Sequence, residues 1–230
     1  MESHFTSRLA VDLGTIPYEE CLELQRALVR LRADERIPDA VLFVDHPPVY
    51  TIGRKADPSN FPGISPVKVE RGGDVTYHGP GQLVVYPIFR LWDNGKVDVR
   101  ELVRIITGAV IEFLHDNGYA AYIGEEPGIW ISGKKVASVG MAVDSGVTFH
   151  GAAINLAPGV LTGFRKIRPC GLSSEVMSFV PVRRDKAITD LIAAFSRRFG
   201  PFTILRADQD SLPIDQILSS IPNLLLETSE

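Results

Sequence analysis

The chain has 230 residues, is 45% hydrophobic and 23% charged, and carries a net charge of −4. That is an ordinary soluble globular composition, long enough for one generous domain or two small ones. It argues against nucleic-acid binding by bulk electrostatics, and no apolar run nears the roughly 18 residues of a membrane span.

Met1 to Arg8 has no apolar h-region and no transit-peptide character, so a cytoplasmic protein is expected. Two cysteines, Cys21 and Cys170, make neither a disulfide framework nor zinc-type spacing.

Arg8 to Leu13 reads as a first strand, and Pro17 opens a helix to about Glu35 with Cys21, Leu24, Leu28 and Leu31 on one apolar stripe. Cys21 on that stripe reads as a core residue. Val41–Val44 and Val49–Ile52 are short strands joined by Asp45-His46-Pro47-Pro48, and Ala56–Pro66 reads as a surface loop. Val75–Leu91 looks like two strands separated by Gly79-Pro80-Gly81. Asp98 is a candidate N-cap for a helix carrying Val99, Leu102, Val103, Ile106, Val110 and Phe113, and Gly118 is its C′ residue. Tyr119–Ile123, Gly128–Ser132, Lys135–Val143 and Val147–Leu156 follow as strands, with hairpin turns at Gly133 and Asp144-Ser145-Gly146. Ala157–Arg184 is irregular. Asp185 caps a helix to about Arg198, Phe202–Leu205 is a strand and Pro213–Ile221 a short helix, with a frayed tail over about 222–230. Hairpins with helices interspersed predict one α+β domain over 1–230, with a mixed, largely antiparallel sheet.

Cys170 is the chemically conspicuous residue of the irregular segment. It stands between Pro169, which fixes its own φ, and Gly171, which permits close approach to the backbone. Its thiolate would be a strong nucleophile. Gly133-Lys134-Lys135-Val136-Ala137 reads as a tight turn feeding a strand, and Lys135 is one candidate to lower the thiol pKa or take its proton. A Cys–His dyad with His46, His78 or His150 is the competing arrangement, and spacing alone does not choose between them. Each of those histidines also has a plain structural reading.

The run Arg71 to Gln82 holds four glycines and a proline. It fits either a bulged hairpin or a place where the backbone passes close to a ligand. It is not a phosphate loop, and with one cation in the run a nucleotide site is weakly supported, an apolar acyl pocket fitting equally well or better. Arg165, Lys166 and Arg168 form a local basic cluster before Cys170. They read either as an exposed loop or as a docking patch for an acidic partner.

Five motifs in order resemble the lipoyl(octanoyl) transferases of lipoate biosynthesis. The Arg-Gly-Gly-x-x-Thr-x-His-Gly-Pro-Gly-Gln run is matched by Arg71 to Gln82, and His-Pro-x-Val-Tyr-Thr by His46 to Thr51. Lys-Val/Ile-Ala-x-x-Gly is matched by Lys135 to Gly140, His-Gly-x-Ala-x-Asn by His150 to Asn155, and Pro-Cys-Gly by Pro169 to Gly171. The agreement spans about residues 8 to 205, with one departure at Ala152, where a larger aromatic residue is common.

The resemblance implies a fold like that of lipoate and biotin protein ligases, a mixed sheet flanked by helices. It also implies the reaction: octanoyl-acyl carrier protein acylates Cys170, and a lysine of a lipoyl domain takes the acyl group as an amide. The acceptors would be lipoyl domains of 2-oxoacid dehydrogenase complexes and the H protein of glycine cleavage. Lys135 would be the residue that lowers the cysteine pKa. Substrate contacts would come from Arg71, Gly72, Gly73, Asp74, Val75, Thr76, Tyr77 and His78, from Ser138, Val139 and Gly140, and from Gly151, Ala152 and Ala153. No cofactor or metal, no nucleic-acid or membrane partner, and a monomer are expected.

Overall fold

The computed structural model describes residues 5–91, 99–124, 126–206 and 213–226. Strand β1 (Arg8–Thr15) is followed by helix α1 (Tyr18–Ala33), with Pro17 at its N-cap, Glu19 and Glu20 in its first turn and Arg30 and Arg32 in its last. Those charges complement the helix dipole. The buried face of α1 is rotated from the predicted stripe. Tyr18, Cys21, Leu22, Gln25, Leu28, Val29 and Arg32 are inside, while Leu24 and Leu31 are only partly covered. Gln25 sits inside because it is bonded: its Oε1 accepts from the His150 backbone N–H at 2.9 Å.

Next come β2 (Ala40–Asp45), β3 (Val49–Ile52), a 3-10 turn at Pro58–Asn60, β4 (Val67–Lys68), β5 (Val75–His78) and β6 (Gln82–Ile88). Helix α2 (Val99–Asp116) ends before Gly118, which has φ +83°. The proposed cap Asp98 lies outside the described residues. Strands β7 (Ala121–Ile123), β8 (Ile129–Ile131), β9 (Lys134–Asp144) and β10 (Val147–Asn155) form the expected series. The residue pairs Ser132-Gly133 and Ser145-Gly146, all at positive φ, close the β8–β9 and β9–β10 hairpins. A one-turn helix α3 (Leu161–Phe164), α4 (Arg184–Phe199), β11 (Phe202–Arg206) and α5 (Pro213–Leu226) complete the chain. Helix α5 continues past the expected stop at Ile221. The remainder of the expected frayed tail, 227–230, lies outside the described residues.

The main sheet has eight strands in the order β11-β1-β2-β6-β10-β9-β8-β7. β1 is parallel to β11 and β2, and every other pair is antiparallel, so the expected α+β class with a mixed, largely antiparallel sheet is found. One face packs α2 and α4 through Phe89, Phe113, Phe195 and Val85, and the other packs α1 through Cys21, Leu28, Leu42 and Val84. Each fully buried phenylalanine of this kind contributes roughly 1.5–3 kcal/mol relative to exposure.

β5 and β6 do not form a hairpin. β5 pairs with β3 in a second sheet, β4-β3-β5, while β6 lies between β2 and β10 in the first. Gly79-Pro80-Gly81 therefore carries the chain from one sheet to the other. The site lies where the segments leading into and out of the small sheet meet β9 and β10. Among the described residues no helix is long and apolar enough to cross a membrane.

Candidate active site

Lys135 owes its position to a β-bulge. The β8–β9 register steps from Ile129↔Ala137 to Trp130↔Lys135, so β9 carries one extra residue, Val136. Bulges re-aim side chains. Here Lys134 stays outside, its Nζ donating to the Glu175 carbonyl at 2.9 Å, and Lys135 turns inward to 2% exposure. Gly128 makes room for it, because a Cβ there would stand 2.4 Å from Lys135 Cε and 3.2 Å from Nζ. The Ser178 N–H donates to the Lys135 carbonyl at 2.9 Å, tying β9 to the chain beyond Cys170. Burial pushes the Lys135 ammonium below its ordinary pKa, partly offset by its attraction to Cys170 and Glu126.

Cys170 sits in the 3-10 turn Pro169–Gly171 with φ 55° and ψ 34°, a left-handed conformation rare for a side chain that is not glycine, asparagine or aspartate. The Gly171 N–H closes the turn on the Arg168 carbonyl at 2.9 Å, and the thiol is half-exposed. Gly171 has φ +75° and open space where a Cβ would go. The turn requires glycine there for its backbone angle, not for close approach of another group.

The Arg71 segment is held by a strap. Backbone N–H groups of Gly53, Arg54 and Lys55 donate to the carbonyls of Asp74, Arg71 and Gly73, and the Gly72 N–H donates to Met141 on β9. A Cβ on Gly53 would lie 2.5–2.8 Å from the carbonyl oxygens of Gly73, Arg71 and Gly72. Arg71 is 8% exposed. Its Nη2 donates to the Thr51 carbonyl and hydroxyl at 2.8 and 2.9 Å and its Nη1 to the Gly72 carbonyl at 3.0 Å, while Nε is buried with no partner. Among the described residues it makes no ion pair with a carboxylate. Asp74 is engaged elsewhere, its Oδ1 accepting from the Asp57 N–H at 3.0 Å and its Oδ2 from Asn60 Nδ2 at 2.5 Å.

The histidines separate by their surroundings. His46 is spent on the Ile16 carbonyl and the Tyr86 hydroxyl and does not line the cavity. His78 bonds Gln82 Oε1 through Nδ1, stacks on Tyr18, and is held neutral by burial, its pKa well below the ordinary range. His150 has φ 56° within β10, and neither ring nitrogen makes a hydrogen bond. Its Nε2 lies 3.5 Å from Glu70 Oε2, and burial lowers its pKa to about 4.

One cavity of about 650 Å³ joins these groups. Cys170 and Lys135 both line it, together with Arg71, Gly72, Gly73, Asp74, Val75, Thr76, His78, Ser138, Val139, Gly140, Gly151, Ala152 and Ala153. Of the expected contacts Tyr77 alone is not at the wall. Its ring packs between Tyr50 and Phe164, at centroid distances of 5.1 and 5.8 Å. Gly140 and Gly151 are glycines of close approach: a Cβ would lie 3.1 Å from the Gly72 carbonyl oxygen at the first and 2.0 Å from that of Val85 at the second. Tyr18, Tyr86, Asn60, Val103 and Glu126 also line the cavity and were not singled out from the sequence. Tyr18 carried a usable signal, as an aromatic on the buried stripe one turn before Cys21, whereas Asn60 had none. Among the described residues no cluster of three potential metal ligands occurs.

Residues 17–200 match the family model described as the lipoyl protein ligase A/B catalytic domain. A protein of Corynebacterium jeikeium named octanoyltransferase is 36% identical over 201 residues, 80% of this chain and 82% of that one. The chain belongs to the octanoyltransferase family. A Geobacter sulfurreducens octanoyltransferase is 37% identical over 86% of this chain and 84% of its own. The crystal structure of lipoate-protein ligase A bound with ATP superposes with a TM-score of 0.67 at 18% identity, covering 94% of both chains, and shares the fold.

Proposed function

We propose that this family member moves an octanoyl group from octanoyl-acyl carrier protein to the Cys170 sulfur and then to a lysine of a lipoyl domain. The observation that carries the reading is one cavity holding a half-exposed thiol on a left-handed turn and a buried lysine. It is walled by small residues of β9 and β10.

In the first half-reaction the Cys170 thiolate attacks the thioester carbonyl, the carrier thiolate leaves, and an acyl-enzyme thioester remains. A thioester donor is already activated, so neither ATP nor a metal is required. Lys135, on the same cavity wall, takes the Cys170 proton and passes it to the departing carrier thiolate, which leaves Lys135 neutral. In the second half-reaction an acceptor lysine of pKa about 10.4 must lose a proton, a deficit of roughly 4–5 kcal/mol at pH 7. Lys135, its own pKa lowered by burial, is the base for that proton; the acceptor amine attacks the thioester carbonyl, the C–S bond breaks, and the leaving Cys170 thiolate takes the proton back from Lys135. Arg71 supplies a fixed, desolvated cation on the same wall. Acceptors in this reading are lipoyl domains of 2-oxoacid dehydrogenases and of the glycine-cleavage H protein, met in the cytoplasm by a monomer acting as one catalytic domain.

Mass spectrometry after mixing with octanoyl-acyl carrier protein tests the proposal. An octanoyl adduct on Cys170, lost in Cys170→Ala and discharged by an apo lipoyl domain, is expected. Transfer by Cys170→Ala, or transfer from free octanoate that needs ATP, would replace it with ligase chemistry.

A further inference from the structure

The carboxylate of Asp74 lies at the cavity wall, yet both its oxygens are occupied by protein. Oδ1 holds the Asp57 N–H at 3.0 Å and Oδ2 holds Asn60 Nδ2 at 2.5 Å. Asn60, 8% exposed, in turn accepts the Arg168 N–H on its backbone carbonyl at 2.8 Å. The Arg168 carbonyl accepts from Gly171, the bond that closes the turn around Cys170. A continuous path thus runs from the Arg71 segment, through the 3-10 turn at Pro58–Asn60, to the nucleophile. Cys170 occupies a left-handed conformation, and a residue in such a region persists only where its surroundings over-determine it. Within the turn itself, the local bonds are those of Gly171 to Arg168 and Leu172 to Pro169. The Asn60–Arg168 bond fixes the entry to that turn from outside.

We infer that Asp74 and Asn60 are positioning residues for the nucleophile, acting through the Cys170 turn and not through contact with the acyl group. The inference rests on Cys170 being the nucleophile. It reassigns Asp74, which the family motif places among substrate contacts. Because Asp74 follows Gly73 directly, and the Gly72 N–H is bonded to β9 at Met141, the same pair sets the nucleophile against the Lys135-bearing strand.

The test is a reciprocal exchange. Asp74→Ala removes both acceptor oxygens, so the bonds from the Asp57 N–H and from Asn60 Nδ2 are both lost. Asn60→Asp sets two carboxylates face to face. The double variant, Asn60→Asp with Asp74→Asn, restores both bonds: the new amide accepts from the Asp57 N–H and donates to the new carboxylate. The primary readout is iodoacetamide alkylation of Cys170 as a function of pH, which needs no octanoyl donor. Misplacing a reacting group by about 1 Å is worth up to about 10²-fold, so each single variant should slow alkylation at neutral pH by about tenfold or more. The double variant should return to within about threefold of wild type. The fall in transfer should be in kcat, with KM for the donor nearly unchanged, because no substrate contact is removed. Folded single variants that alkylate as wild type, or a folded double variant that is not restored, would overturn the inference. Failure of wild type to accept an octanoyl group would instead count against the proposed function and leave the alkylation comparison standing.

Discussion

Gly128→Ala is the sharpest probe of how Lys135 is held. Gly128 has φ +142°, and a Cβ there would lie 2.4 Å from Lys135 Cε, 2.7 Å from the Ala137 carbonyl oxygen and 3.2 Å from Lys135 Nζ. Ala137 belongs to the paired part of β9, opposite Ile129 on one side and Ile154 on the other, so its carbonyl cannot retreat. The flexible lysine tail must move. At φ +142°, outside the left-handed helical well, the backbone costs roughly 1–3 kcal/mol with a side chain, and overpacking adds roughly 1–3. For a chain of this size each 1 kcal/mol lowers Tm by roughly 2–4 °C. Gly133→Ala is the matched control, with φ +74° and nothing within 4 Å of its Cβ. It should carry the strain alone and leave Lys135 in place. Thermal melts should therefore show losses in both variants, the larger in Gly128→Ala. Single-turnover acylation of Cys170 should fall by up to about 10²-fold only in Gly128→Ala, the scale of a displaced or lost general base. Gly128→Ala acylating as fast as Gly133→Ala would show that the ammonium position set by this contact is irrelevant to the reaction.

Three further outcomes are expected. Lys135→Ala should lower octanoyl transfer by about 10²-fold or more and move the alkylation profile of Cys170 to higher pH; an unchanged profile would point to His78 or His150 as the activator. His150, at about 4 when folded against an ordinary 6.5, binds fewer protons folded than unfolded, so folded stability should fall as pH drops from about 6.5 towards 4. One such group contributes on the order of 3 kcal/mol across that window, and His150→Gln should flatten the loss seen in denaturant midpoints at pH 7.5 and 5, only in part because His46 and His78 are also lowered; an equal slope in both proteins would remove His150 from the account. Reversing the exposed cations Arg165, Lys166 and Arg168 to Glu should raise KM for the carrier-bound donor and weaken its salt dependence, while a small octanoyl thioester is used nearly as before; equal losses with both donors would mean that the cluster shapes the Cys170 turn instead of docking an acidic protein.

Turn chemistry made the β7-to-β10 half of the sheet readable, because Gly133 and Gly146 fix two-residue hairpins whose register is local. At Gly79-Pro80-Gly81 the same reasoning finds both strands but not their partners. Glycine and proline there mark a break in the chain but do not say whether the following strand returns along β5 or joins another sheet. Only the distant partners β3, β2 and β10 decide that. The site divides in the same way. Cys170 and Lys135 are legible as residue types, since a thiol between proline and glycine and a lysine at a strand entrance are uncommon placements. The inward aim of Lys135 rests on an extra residue at Val136 and on Gly128, seven residues earlier in the chain, and neither is a local signal. The contiguous motif places Tyr77 with its neighbours, whereas the period of two along a strand separates it from Thr76 and His78. Asn60 left no trace, since it works through a side-chain amide and a backbone carbonyl that any sequence could supply. A contiguous motif therefore marks a segment that enters a site. Which of its residues meet substrate, and which brace the others, is set by alternation within the segment and by bonds to chain elsewhere, as Asp74 does in bonding Asn60 from inside the motif itself.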